Sequence, residues 1–256
     1  MIRARMGSDR LPGRIIAPLG GRPLLALLRA RVAAARVDAW WLATSRRPTD
    51  DVTEAWGFEL GLRVHRGADP SPHAALRAIA AETGAEWIVS LDASHPFVDA
   101  GLIDAMLDAR DARRESKEAP AIRLGGPERA DGDADPAPGP ALPRGYSVEA
   151  IRCAALEEDP CPGGCVGVQV CPAPGGWPSR PGWRWAIDSY EDLAMARSAF
   201  RVFGREAETI DYPAMVAALD AHPEIAAMNA DGGATGRPAP EPAAQARAEA
   251  STRWTR

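Results

Sequence analysis

Ala4-Arg5-Met6-Gly7-Ser8-Asp9-Arg10-Leu11-Pro12-Gly13-Arg14 is a short loop that carries three arginines and is punctuated by two glycines and a proline. A backbone with glycines at 7 and 13 can approach a ligand closely, because no Cβ stands in the way. Consecutive N–H groups in such a turn form a concavity suited to phosphate oxygens. Guanidinium groups at 5, 10 and 14 add planar, bidentate anion recognition. The stretch therefore reads as a polyphosphate cradle, though not a Walker loop, which requires Gly-x4-Gly-Lys-Ser/Thr. The plainer alternative is an arginine-rich surface loop in an alanine- and arginine-rich chain.

The same residues resemble the nucleotide loop of sugar cytidylyltransferases, Arg-x-Gly-Ser-x-Arg-Leu-Pro-Gly-Lys. That group includes the SpsF-like spore-coat polysaccharide proteins and the enzymes that make CMP-Kdo and CMP-sialic acid. Arg5, Gly7, Ser8, Arg10, Leu11, Pro12 and Gly13 match, and Arg14 stands where the family has lysine. The resemblance implies an α/β, Rossmann-like nucleotidyltransferase fold, a mostly parallel sheet with helices on both faces. It also implies transfer of CMP from CTP to the hydroxyl of a sugar acid or related acceptor, with Mg2+ as cofactor and pyrophosphate released. Arg5, Gly7, Ser8, Arg10 and Arg14 would then bind the nucleotide, Arg10 and Arg14 also serving the chemistry.

Outward from the loop, the strand before it offers only Met1, Ile2 and Ala4, fewer than the ~5 residues usual for a buried strand. Leu24 to Val37 has helical propensity and pattern, with Pro23 at its start. Trp40 to Ser45 reads as a strand ending in polar residues. In an open parallel sheet, ligands lie beyond the carboxyl ends of strands. Thr44 and Ser45 are thus expected to meet the nucleotide, where relatives place base contacts; the alternative is a simple strand end. Asp50–Leu60 and 72–83 read as helices, with a strand at 61–65 between them. His73 departs from the family pattern and reads as a helix-start surface residue.

Trp87-Ile88-Val89-Ser90-Leu91 is the strongest buried strand. It ends in Asp92-Ala93-Ser94-His95-Pro96-Phe97-Val98-Asp99. Spore-coat-type relatives read Thr-x-Asp-Cys-Pro-Leu-Ile-Asp here, so Ser94 occupies the position of their metal-binding acid. Asp92 compensates only if the loop turns differently; Ser94 is expected at the nucleotide and Asp92 at the substrate. A helix is expected over 102–114, then a polar loop over 115–143. Pro143-Arg144-Gly145-Tyr146-Ser147-Val148-Glu149 resembles the family's Pro-x-Gly-x-Asp-Val-Glu strand, implying that Glu149 faces the acceptor, while Ser147 replaces the Asp. A short helix is expected over 154–159.

Cys153, Cys161, Cys165 and Cys171 cluster in a stretch rich in proline and glycine. Their irregular spacing favours reduced thiols over a zinc site, which usually shows paired knuckles. The insertion at 160–182 is where relatives often carry dimer contacts, and a homodimer is the oligomer the resemblance allows. Trp183-Arg184-Trp185-Ala186-Ile187-Asp188 reads as an apolar strand delivering an acid, with Ser189 capping the next helix. Relatives read Val-Asp-Thr-Pro-Glu-Asp-Leu here, implying that Asp188 holds the catalytic magnesium; the alternative is a strand-end acid. A C-terminal helix over 216–229 contains His222, read as structural or exposed.

The 256 residues suit one α/β domain or two small ones. The expected organisation is a nucleotidyltransferase domain over 1–230 and a disordered tail, rich in Gly, Ala, Pro and Glu, over 231–256. A net charge of -5 argues against nucleic-acid or anionic-membrane partners, which call for basic clusters. No apolar run approaches the ~20 residues needed to span a bilayer, and the basic N-terminus lacks an apolar h-region. The expected partners are CTP and a small acidic sugar or related acceptor, and the expected compartment is the cytoplasm. Two other functions stay open: a non-catalytic nucleotide-binding member of the fold, and a nucleotidyltransferase acting on a non-sugar acceptor such as a phosphonate.

Overall fold

The computed structural model describes residues 1–68, 72–112, 121–126, 139–158 and 168–230. One sheet runs in the order β5 (Arg63–Gly67), β4 (Trp41–Ser45), β1 (Ile2–Arg3), β6 (Trp87–Asp92), β8 (Ser147–Arg152), β7 (Ala121–Gly125), β9 (Val168–Cys171). β1 lies parallel to β4 and β6, β4 to β5 and β7 to β9, while β8 runs antiparallel to both β6 and β7. The mostly parallel α/β sheet expected from the sequence is thus present, with one antiparallel strand let into it. A small ribbon of β2 (Pro18–Leu19) and β3 (Arg22–Pro23) joins the arginine loop to α1 (Leu24–Arg31).

Strand side chains alternate between faces, and here they divide two apolar layers. Ile2, Leu42 and Leu91 enter the larger one, with α1, α4 (Ala100–Asp111), α6 (Tyr190–Phe203) and α7 (Tyr212–Asp220). Met1, Trp41, Ala43 and Ile88 enter the smaller, under α3 (Pro72–Thr83) and α5 (Ala155–Glu158). With both faces covered, β4 is buried regardless of parity at all five of its residues. β1 pairs through only two residues, as the short apolar lead predicts, yet it lies inside the sheet between β4 and β6. The chain leaves it for β4 on one side and returns to β6 on the other. That reversal opens a crevice at the strands' carboxyl ends, the usual ligand position in such sheets.

Several expectations are corrected. The loop expected over 115–143 contains β7, and the Cys-rich insertion expected over 160–182 contains β9. Both are short strands set among glycine, proline and charged residues, whose composition hid them. The helix expected to Val37 ends at Arg31. Beyond it the Arg36 amide donates to Asp104 Oδ1 at 2.8 Å, a tertiary contact that overrides local propensity. The strand expected over 183–188 joins no ladder and makes a single bridge, Arg184 to Arg144. Its burial comes instead from aromatic packing, Trp185 lying 4.7 Å from the Phe97 ring centroid and 5.5 Å from Tyr146. The C-terminal helix is two, α7 and α8 (Pro223–Ala227), broken at His222-Pro223. His222 is half-buried beside Glu224. The tail over 231–256, together with Cys161 and Cys165, lies outside the described residues.

Ser189 caps α6 as expected. Its hydroxyl accepts from the Asp192 amide at 3.3 Å, and Asp192 Oδ2 accepts the Ser189 amide at 2.9 Å. This reciprocal box satisfies two N–H groups that a helix start leaves without partners. Ser189→Ala is expected to cost about 1 kcal/mol, lowering the melting temperature by ~2–4 °C for a domain of this size. An unchanged melting curve would contradict the cap's contribution.

Candidate active site

A cavity of ≈ 190 Å³ lies at the carboxyl ends of β1, β4 and β6. Arg3, Arg5, Arg14, Thr44 and Asp92 reach it, over a lining of small residues that includes Ala43, Ala75 and Ala93. The arginine loop leaves β1 and folds back on itself. Gly13, at φ 73, takes the left-handed turn a side chain would resist, and its amide donates to Met6 O at 2.9 Å. Leu11 and Ile15 bury their side chains and anchor the loop to the core. Ser8 Oγ accepts from the Leu11 amide at 3.3 Å, tightening the turn, while the Gly7 backbone is exposed with nothing packed against it.

Asp50, which the sequence reading did not single out, holds this loop to the sheet. Its Oδ1 accepts the Met6 amide at 2.6 Å and the Thr53 hydroxyl at 3.3 Å, and its Oδ2 accepts the Ser45 hydroxyl. Ser45 Oγ in turn accepts the Arg47 amide at 3.2 Å. Ser45 was expected to contact nucleotide; it borders the cavity, but its hydroxyl is committed to Asp50. Thr44 differs, because its buried Oγ1 has no hydrogen-bond partner and its residue borders the same space. A buried hydroxyl without a partner carries a desolvation cost that a ligand atom would relieve. The signal for Asp50 was present in the sequence as an acid at the first position of the helix expected over Asp50–Leu60, where it reads equally as an N-cap.

Arginines and carboxylates alternate in a cluster joined to the cavity through Arg14 and Asp92. Arg14 Nη1 donates to Ile187 O at 2.8 Å and Asp188 Oδ1 at 2.9 Å, and its Nη2 lies 3.9 Å from Asp92 Oδ1. Arg10 Nη2 stands 3.1 Å from the same Asp188 oxygen. On the other oxygen, Arg144 and Arg184 each approach to 3.8 Å. Arg184 also binds buried Asp192 at 2.8 Å. Asp192 accepts the Asp188 amide at 2.9 Å, so the helix cap that starts α6 also fixes the Asp188 backbone. The two segments richest in sequence signal, 174 residues apart at Arg14 and Asp188, thus meet at one oxygen.

Ser94, expected at the nucleotide, turns inward instead. Its amide and hydroxyl donate to Asp92 Oδ1 at 2.8 and 2.7 Å, so Asp92 is this loop's outward carboxylate and Ser94 its support. Burial opposes the charge on Asp92. The charges of Arg3, His95 and Arg14, with the Ser94 amide, outweigh it and hold the carboxyl well below the usual carboxylate range. An acid so strong is a fixed charge rather than a proton acceptor, since a general base works best near the ambient pH. Among the described residues no three His, Cys, Asp or Glu side chains converge as a metal cage. Asp92 and Asp188 gathered on Arg14 are two carboxylates without a third. That is the donor set with which proteins hold Mg2+ jointly with substrate phosphates, so the residues present fit that ion.

Glu149, expected to face the acceptor, stands opposite Ser90 on the sheet and accepts Arg123 Nε and Nη2 at 2.9 and 2.7 Å. It does not line the cavity, and neither do Gly7, Ser8, Arg10, Ser94 or Asp188; of these, Arg10 and Asp188 join the site through Arg14. His73 starts α3 outside the cavity lining, as expected for a surface residue. Burial pushes the Cys153 thiol up to about 11, which leaves it a poor metal ligand or nucleophile near neutrality. Among the described residues no helix is long and apolar enough to cross a membrane.

Comparison with known proteins places this geometry in a family. The cytidylyltransferase family model matches residues 1–128, half of the 256-residue chain. The spore coat polysaccharide biosynthesis protein SpsF of Bacillus subtilis is 37% identical over 114 residues, 43% of this chain and 48% of that protein. A 3-deoxy-manno-octulosonate cytidylyltransferase of Mesorhizobium japonicum is 33% identical over 109 residues, 42% and 45% of the two chains. The matched region is thus about half the length of these curated relatives. Structural likeness extends further. A cytidylyltransferase from Leptospira borgpetersenii superposes with a TM-score of 0.72 at 22% identity, covering 88% of this chain and 94% of that one. A CMP-2-keto-3-deoxy-manno-octonic acid synthetase determined with CTP gives 0.54 at 15% identity, over 78% and 96%. With its N-terminal half matched by the family model, the chain belongs to the cytidylyltransferase family.

Proposed function

We propose that this chain moves CMP from CTP to the hydroxyl of a sugar acid or related acceptor, releasing pyrophosphate, in surface polysaccharide or glycoconjugate biosynthesis. The observation that carries this reading is the meeting of Arg14 with both Asp92 and Asp188 at the rim of the switch-point cavity. The acceptor oxygen attacks the α-phosphorus, an O–P bond forms, and the bond to the β-phosphate bridging oxygen breaks. The acceptor's proton passes to solvent, and pyrophosphate departs with the electron pair. Arg5, Arg10 and Arg14 neutralise the triphosphate as negative charge gathers on the leaving group. Thr44 offers its unpartnered hydroxyl to the nucleotide. Asp92 and Asp188 would hold Mg2+, which when bound with phosphate oxygens supplies positive charge to the α-phosphate and the departing pyrophosphate.

A second reading concerns the acceptor alone. Glu149 is tied to Arg123 and Ser147 replaces the family's acid, which favours an acceptor other than the familiar sugar acids, such as a phosphonate. Both readings are tested by pyrophosphate release with each of the four NTPs and magnesium. The acceptor panel contains 3-deoxy-manno-octulosonate, sialic acids and simple phosphonates. Release that requires CTP is expected, and the productive acceptor decides between the readings. No release from any acceptor, together with no CTP binding by calorimetry, would refute the transferase.

A further inference from the structure

Arg3 lies outside every motif considered above. It is the last residue of the two-residue strand β1, in register with Ala43 on one side and Asp92 on the other. Parity turns Ile2 into the larger apolar layer, so Arg3 turns to the opposite face, into the cavity. There its guanidinium makes one long contact, Nη2 to Asp92 Oδ2 at 3.8 Å, beyond hydrogen-bonding distance. Its Nε is buried with no hydrogen-bond partner. Asp92 directs its other oxygen to Ser94. Among the described residues, Arg3, Arg5 and Arg14 therefore face the cavity with Asp92 as the one carboxylate in its lining.

From this arrangement we infer that Arg3 is a phosphate-binding residue of the nucleotide cavity, an additional guanidinium set in its floor rather than in the loop above. The inference rests on the cytidine-nucleotide reading of the cavity. The Nε and Nη2 edge of an arginine is a two-pronged donor matched to two oxygens of one phosphate. A phosphate oxygen there would satisfy the buried Nε and offset the surplus of positive charge. It would also shift Arg3 from its long contact with Asp92, leaving that carboxylate to other partners. A base carbonyl would meet the hydrogen-bond need but not the charge.

The test is titration of CTP and of cytidine into the wild-type chain and Arg3→Gln, with cytidine measured by competition against a fluorescent CTP analogue. Glutamine keeps a donor at similar depth but loses the charge and the fork. CTP affinity is expected to fall at least tenfold while cytidine affinity changes less than twofold. CTP affinity within threefold of wild type would overturn the inference, as would an equal loss for cytidine, which would mark Arg3 as a packing residue. If Arg3→Gln melts too early to titrate, Arg3→Lys keeps the charge without the fork. Arg3→Lys is then expected to lose CTP affinity severalfold, and an unchanged value overturns the inference. A wild-type chain that binds no CTP would overturn the nucleotide reading itself, and this inference with it.

Discussion

Asp188→Ala is expected to lower CTP-dependent pyrophosphate release by about 1,000-fold, the rate equivalent of several kcal/mol of lost charge stabilisation. CTP binding measured without magnesium is expected to stay the same or tighten. The split follows from what surrounds this carboxylate. Arg10 and Arg14 meet its Oδ1, while Arg144 and Arg184 approach its Oδ2. Removing the acid leaves these guanidiniums with one negative charge fewer, so an incoming triphosphate meets a more positive rim. The same removal takes away one of the two carboxylates proposed to hold the cation. An interaction made only in the transition state lowers turnover without weakening substrate binding. Turnover within about threefold of wild type would remove Asp188 from the chemistry. Parallel losses in binding and turnover would instead mean that Asp188 merely shapes the loop.

What the sequence made legible follows the range over which each signal acts. The 72–83 helix and the Ser189 cap are local events, fixed by neighbouring residues, and both stand as expected. The arginine loop is likewise a local turn, and its resemblance to a known signature pointed to the family. β7 and β9 were missed because each is a short strand held by pairing with distant partners. The 183–188 segment was misread for the opposite reason: its apolar residues are buried by rings of Phe97, Tyr146 and Tyr212, not by a ladder. Apolar pattern reports burial and does not say what does the burying.

The site divides along the same line. Residue types were legible at Arg5, Arg14, Thr44 and Asp92, which all reach the cavity. Hydroxyl partners were not. Ser45 and Ser94 stand where a ligand contact was expected, yet each donates to a neighbouring aspartate, and only the fold decides that. Arg3 was overlooked for a related reason. A charged residue in a two-residue strand looks like a strand end, and its orientation depends on a register set by β4 and β6.

Gly145→Ala is expected to be strongly disruptive, costing roughly 4 kcal/mol or more in denaturant unfolding. Gly145 holds φ at +82°, where an L side chain is strained by about 1–2 kcal/mol. The larger part of the cost is spatial. A Cβ there would stand 2.3 Å from Ala186 N and 2.6 Å from Ala186 Cα, backbone atoms that no rotamer change can move aside. Arg144 O accepts amides from Trp185 at 2.7 Å and Ala186 at 3.2 Å, so parting these chains breaks the lacing itself. On one side Tyr146 is stacked 4.7 Å from Tyr212; on the other Ile187 and Asp188 lead to Arg14. Any backbone shift that admits the methyl group therefore also moves the carboxylate that Arg14 binds. Gly7→Ala is the matched comparison, because Gly7 has open space around it and no left-handed φ. That substitution should leave unfolding within about 0.5 kcal/mol of wild type. If Gly145→Ala also stayed within about 1 kcal/mol, the close crossing of 144–146 with 184–186 would not be what fixes Asp188 in place.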